Sequence, residues 1–160
     1  MPTVHFREVQ RFSGLVTVAA ALALAYGIAL QFMPKGWPAG LSLIAAPLAL
    51  LLVYAVLKLV TEVRDDGLSV RLFPLPFRRI AWDEIESYYV RTYRPIREYG
   101  GWGIKQRNRG SGIAYNARGN RGVQLILRSG HRVLLGSQMP ESLEAAIANF
   151  VLASYVPMEA

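Results

Sequence analysis

The chain has no cysteine. That excludes disulfides, thiolate metal sites and cysteine nucleophiles. Histidine is nearly as scarce: His5 and His131 are the only two, and they lie in different segments. A zinc site takes about four ligands, mostly His and Cys, which this stock does not supply. Each serine lacks a histidine partner in its sequence context, so no Ser–His–Asp arrangement is readable. Asp65 and Asp66 precede Gly67, which is the pattern of a β-turn rather than of a cation pair. Asp83, Glu84 and Glu86 read as solvated acids, because an acid–base pair needs two opposed environments. His131, after Ser129-Gly130, reads as a turn residue. The glycines of 100–103 and 110–112 match no phosphate-loop spacing. No cofactor, metal or catalytic residue is therefore expected.

Charge is missing from two long stretches. Lys, Arg, Asp and Glu are absent from Phe12 to Pro34 and again from Gly36 to Leu57, with Lys35 alone between them. A helix needs about 20 apolar residues to cross a bilayer, and backbone in lipid must satisfy its own hydrogen bonds. The expectation is a membrane α-helical hairpin with transmembrane helices at about 12–33 and 38–57, within an N-terminal segment 1–58. Arg7 and Arg11 precede the first run, and Lys58, Arg64 and Arg71 follow the second, so both termini are expected on the cytoplasmic side of the cell (inner) membrane. Pro47 is expected to kink the second helix, and Trp37 to sit at the outer interface. Small residues from Ala19 to Gly27 suit close helix packing, hence a homo-oligomer.

Acidic residues are also few. Lys plus Arg number 18 against 11 Asp plus Glu, a net charge of +7. Between Val63 and Gly136 the ratio is 14 to 6. Such a balance favours anionic partners.

From Leu59 the pattern turns to period two, the mark of half-buried strands. Strands are expected at 59–64, 68–72, 77–82, 85–93, 113–118, 123–128 and 131–136, with a short one around 102–104. Asp65-Asp66-Gly67, Pro74-Leu75-Pro76, Gly119–Gly122 and Ser129-Gly130 serve as turns. Pro140 then fits a first helical position, and Leu143, Ile147, Phe150 and Val151 share one helical face. About seven antiparallel strands in an open barrel, capped by one C-terminal helix, resemble the pleckstrin-homology-like (PH-like) fold.

Particular segments carry a closer resemblance: Arg91-Thr92-Tyr93-Arg94-Pro95, Glu98–Gly103, Ala114-Tyr115-Asn116, Gly119–Val123 and Gly136-Ser137-Gln138. Together they look like bacterial two-helix membrane proteins carrying a PH-like domain, a family of unknown function. The resemblance implies a cytoplasmic PH-like domain over 59–154, a tail at 155–160 and a membrane location, but no activity.

The candidate binding region is the loop from Arg94 to Gly112. It carries Arg94, Arg97, Lys105, Arg107 and Arg109 beside Tyr99 and Trp102, and Arg78 and Arg79 join it as basic candidates. Long glycine-rich loops in compact domains are often functional. Basic plus aromatic chemistry suits lipid headgroups and nucleic acid alike. A domain held at a bilayer explains its charge without nucleic acid, which is disfavoured. The function expected is a non-enzymatic, membrane-anchored interaction module docking a protein or peptide partner. The alternative is binding of anionic phospholipid headgroups through the basic loop.

Overall fold

A computed structural model of the chain describes residues 2–12, 22–23, 25–28, 48–49, 52, 56–106 and 112–155. The chain divides into two compact units, Phe12–Leu57 and the remainder, Met1–Arg11 with Lys58–Ala160. In the first unit the described residues from 22 to 56 are helical. Among the described residues no helix is long and apolar enough to cross a membrane. That overturns the transmembrane hairpin and, with it, the multi-pass inner-membrane location and the cytoplasmic placement of both termini. Apolar composition demands burial; by itself it does not say in what. The expected loop at 33–38, with Trp37, and the kink at Pro47 lie outside the described residues, as do Ala19 and Ala20 of the small-residue stretch.

The second unit is β-rich, with two sheets rather than one curled barrel. The first sheet has the order β1 (Val4–Arg11), β2 (Lys58–Arg64), β3 (Gly67–Phe73) and β4 (Arg78–Ile80). All its pairs are antiparallel. β1 was not foreseen. Its last residue, Arg11, pairs with Lys58 at the start of β2, so residues 12–57 form an insertion between two neighbouring strands. β2 is buried from Leu59 to Val63, which fits a strand with neighbours on both edges and cover on both faces.

The second sheet has the order β5 (Ile85–Thr92), β8 (Arg121–Leu127), β9 (Arg132–Gly136), β7 (Ile113–Asn116) and β6 (Gly103–Gln106). β7 and β9 run parallel, Ile113 opposite Val133 and Tyr115 opposite Leu135. Among the described residues nine strands in two sheets, one pair parallel, replace the expected seven antiparallel strands, so the PH-like barrel does not form. Local periodicity reveals a strand but not its partner or direction.

Among the described residues two α-helices complete the unit. α1 (Pro95–Tyr99) occupies a stretch expected to be loop. Pro95 stands at its start, the Glu98 carboxylate accepts the Arg94 N–H at 2.8 Å, and Gly100 closes it in the left-handed region at φ 73°. α2 (Pro140–Tyr155) packs on β5 and β8 and on the 3-10 turn Trp82–Glu84, burying Leu143, Ile147 and Val151. Its Phe150 stacks on Trp82, ring centroids 5.1 Å apart, while the Trp82 indole N–H donates to the Arg64 and Asp65 carbonyls. Its Glu144 accepts the Val90 N–H at 3.2 Å and so covers the outer edge of β5.

The two sheets are tied by buried polar contacts. The Glu8 carboxylate of β1 accepts the Ser137 hydroxyl at 2.5 Å and the Gln138 N–H at 2.7 Å. Gln10 Nε2 donates to the Gly136 carbonyl at 2.7 Å. Tyr93 and Asn116 also lie close against Gly136. A Cβ on Gly136 would lie 2.8 Å from Asn116 Cβ and 2.9 Å from the Tyr93 hydroxyl. Burial pushes the pKa of Tyr93 above the ordinary phenol value, so the hydroxyl stays neutral.

Two outcomes follow. Gly136→Ala should destabilise the fold by about 1–3 kcal/mol through overpacking, read as a lower urea midpoint with an unchanged m-value. The second concerns Asp65, whose carboxylate holds His5 and the Thr3 N–H. The His5 contact first, then the Thr3 N–H, lowers its pKa below the ordinary aspartate value. A lowered folded pKa stabilises fully above the ordinary value and is lost as pH falls through the folded one. Asp65→Asn should therefore flatten the acid limb of a melting-temperature profile and leave its neutral region the less stable of the two proteins.

Candidate functional site

Among the described residues a cleft opens where the two sheets meet. Its volume is about 390 Å³, within the range of small-ligand and side-chain pockets, roughly 300–1,000 Å³. Arg78 reaches it from β4 of the first sheet. The second sheet contributes Gln106 at the end of β6, Gly112 and Ile113 at the start of β7, and Gly130, His131 and Arg132 at the turn into β9. Gly112 fits here because it lacks a side chain. Its φ is +79°, and a Cβ would fall 1.8 Å from the Arg132 carbonyl oxygen.

The electrostatics are one-sided. Arg78 is half-buried and donates to the Tyr115 hydroxyl at 3.4 Å, with its guanidinium 6.0 Å from the Tyr115 ring centroid. That contact orients the fork without neutralising it. Among the described residues no carboxylate pairs with Arg78, His131 or Arg132. Elsewhere five arginines are matched: Arg7 and Arg64 meet buried Glu62, Arg79 meets Asp66 at 2.9 Å, Arg91 meets Glu98, and Arg121 meets Glu141. Guanidinium forks bind carboxylate and phosphate in the same bidentate way. The cleft is thus fitted to an anion. A smaller hollow of about 120 Å³ lies by Gly119, Arg121 and Gln138. Its arginine is already taken by Glu141, whose pKa is lowered by its own backbone N–H and then by Arg121. The larger cleft is the better site.

A family of unknown function, DUF6141, matches the chain over residues 4–155. The chain belongs to that family. No curated protein and no solved structure matches it. The match begins at β1 and ends at the last residue of α2, so the DUF6141 match spans both sheets and the insertion between them. The expected membership of a family of unknown function therefore stands, without the membrane helices or PH-like domain attached to it.

The structure distributes the basic and aromatic candidates widely. Arg78 lines the cleft. Arg79 is turned to Asp66. Arg94 and Arg97 are exposed at α1. Tyr99 is a core residue, packed with Tyr93, Ala114 and Leu134. Its ring meets Tyr93 edge-on, centroids 6.1 Å apart. Trp102 is 41% exposed and donates its indole N–H to the Gly119 carbonyl at 3.3 Å. Lys105 is half-buried on β6. Arg107 and Arg109 lie outside the described residues. His131 and Arg132 were not among the candidates. Their signal was the basic pair directly after a Ser-Gly turn, but nothing local says that β4 and β7 begin beside it. Among the described residues no group of three potential metal ligands forms.

The contrast between the two aromatic candidates is measurable. Tyr99→Ala should cost about 3–5 kcal/mol by emptying core space, whereas Trp102→Ala should cost less than about 1 kcal/mol, as for an exposed side chain. Urea denaturation of both variants checks this.

Proposed function

We propose that this protein is a non-enzymatic interaction module that docks an acidic segment of a protein partner in the cleft formed by Arg78, His131 and Arg132. The observation that carries the reading is that Arg78 of β4 lines one cleft with His131 and Arg132 of the turn into β9, with no described carboxylate paired to them. Arginine at neutral pH is a donor only. The cleft therefore suits holding an anion more than moving a proton. Partial burial of Arg78 strengthens its contact, because the effective dielectric there is below that of water, while His131 and Arg132 are exposed. Gln106 adds an amide that donates or accepts, which helps fix the orientation of a carboxylate.

The test is fluorescence anisotropy with labelled peptides of equal length, rich in Glu, Ser or Lys, on the full chain. The Glu-rich peptide should bind most tightly and weaken with salt. Arg78→Ala and Arg132→Ala should each cost about tenfold in affinity, roughly 1.4 kcal/mol. Equal binding of the three peptides, or indifference to both substitutions, overturns the reading. Arg78-dependent binding to anionic phospholipid vesicles, with none to the Glu-rich peptide, assigns the cleft to a headgroup instead.

A further inference from the structure

We propose that the partner's acidic segment binds as an extended strand added to the outer edge of β6, with one of its Glu or Asp carboxylates in the cationic cleft; this rests on the docking reading above. β6 is the last strand of the second sheet, and no described segment pairs with its outer edge. At the opposite side of that sheet the edge of β5 is covered by the Glu144–Val90 hydrogen bond. In the first sheet β4 has only three residues, and β1 commits Glu8 and Gln10 to the second sheet while lining no part of the cleft. β6 runs from the exposed Trp102 that precedes it to the cleft, because Gln106, its last residue, lines that cleft.

The side chains along this edge alternate as an added strand requires. Trp102, Ile104 and Gln106 are exposed, while Gly103 and Lys105 between them are half-buried. Trp102 and Ile104, 41% and 40% exposed, offer apolar contact to alternate residues of the incoming strand. In strand addition main-chain hydrogen bonds give affinity, and the alternate pockets give specificity. Charge selects the occupant. A lysine on a short edge strand guards against pairing with another copy of the same chain. Two copies would bring Lys105 and the cleft cations together, whereas an acidic strand meets attraction at both. The occupant is therefore a segment of another protein in which apolar residues alternate with Glu or Asp.

The probe is an eleven-residue peptide of alternating Val and Glu, blocked at both ends, titrated into the full chain. Two further peptides carry N-methyl groups on alternate residues, one in each phase. Strand addition uses the N–H groups of one phase only, so one methylated peptide should bind at least tenfold more weakly and the other near the unmodified affinity. Amide hydrogen exchange at 103–106 should slow on binding. If all three peptides bind alike, with exchange at 103–106 unchanged and binding lost in Arg78→Ala, strand addition fails and acidic docking in the cleft survives. If none binds, both readings fail.

Discussion

The carboxylate of Glu8 is the constraint on which the rest of this structure depends. It is 5% exposed, and an ionised carboxylate removed from water costs several kcal/mol unless it is paired or hydrogen-bonded. Here the compensation comes from the Ser137 hydroxyl and the Gln138 N–H, at the junction of β9 and α2. Because the bonds are directional, β1 has one place to lie. Gln10, two residues on, repeats the contact at Gly136. The N-terminal edge of the first sheet is thereby fixed to the second. At the other edge of the first sheet the Arg78 contact to Tyr115 makes a second tie. The cleft exists because these ties hold β4 beside β7 and the turn into β9. Ser137 serves both partners, since its oxygen also accepts the Met139 N–H ahead of α2.

Charge is organised by pairing more than by sum. A net +7 says only that anions are favoured partners. Buried Glu62 takes Arg7 from β1 and Arg64 from its own strand, a contact that helps set the β1–β2 register. Arg71 lies over Phe77, 4.1 Å from the ring centroid, and so covers an exposed aromatic with its cation. After such local uses, Arg78 and Arg132 are the cations that a cleft gathers without a described counter-charge. Function is read from that residue of charge, not from the composition.

Local signals made several elements legible. Asp65-Asp66 lies between β2 and β3, Ser129-Gly130 between β8 and β9, and Pro140 opens α2, each as the sequence pattern suggested. β1 was illegible for two reasons. Its inward residues Glu8 and Gln10 are polar, which hides the alternation, and its partner lies beyond the insertion. The parallel pairing of β7 with β9 is likewise non-local. The apolar runs were over-read, since about 20 apolar residues are necessary for a membrane span but do not suffice. For the site, the basic character of Arg78 was visible, but its neighbours depend on tertiary packing. Tyr99 misled because an aromatic in a glycine-rich stretch reads as exposed, whereas α1 turns it into the core.

The central claim is that the Glu8–Ser137 contact fixes the two sheets together. A double-mutant cycle on the full chain with Glu8→Gln and Ser137→Ala, followed by urea denaturation, measures it most directly. The account predicts a coupling energy of about 1.5 kcal/mol or more, as for a buried hydrogen bond to a charged group. Additivity of the two substitutions to within about 0.3 kcal/mol would contradict it.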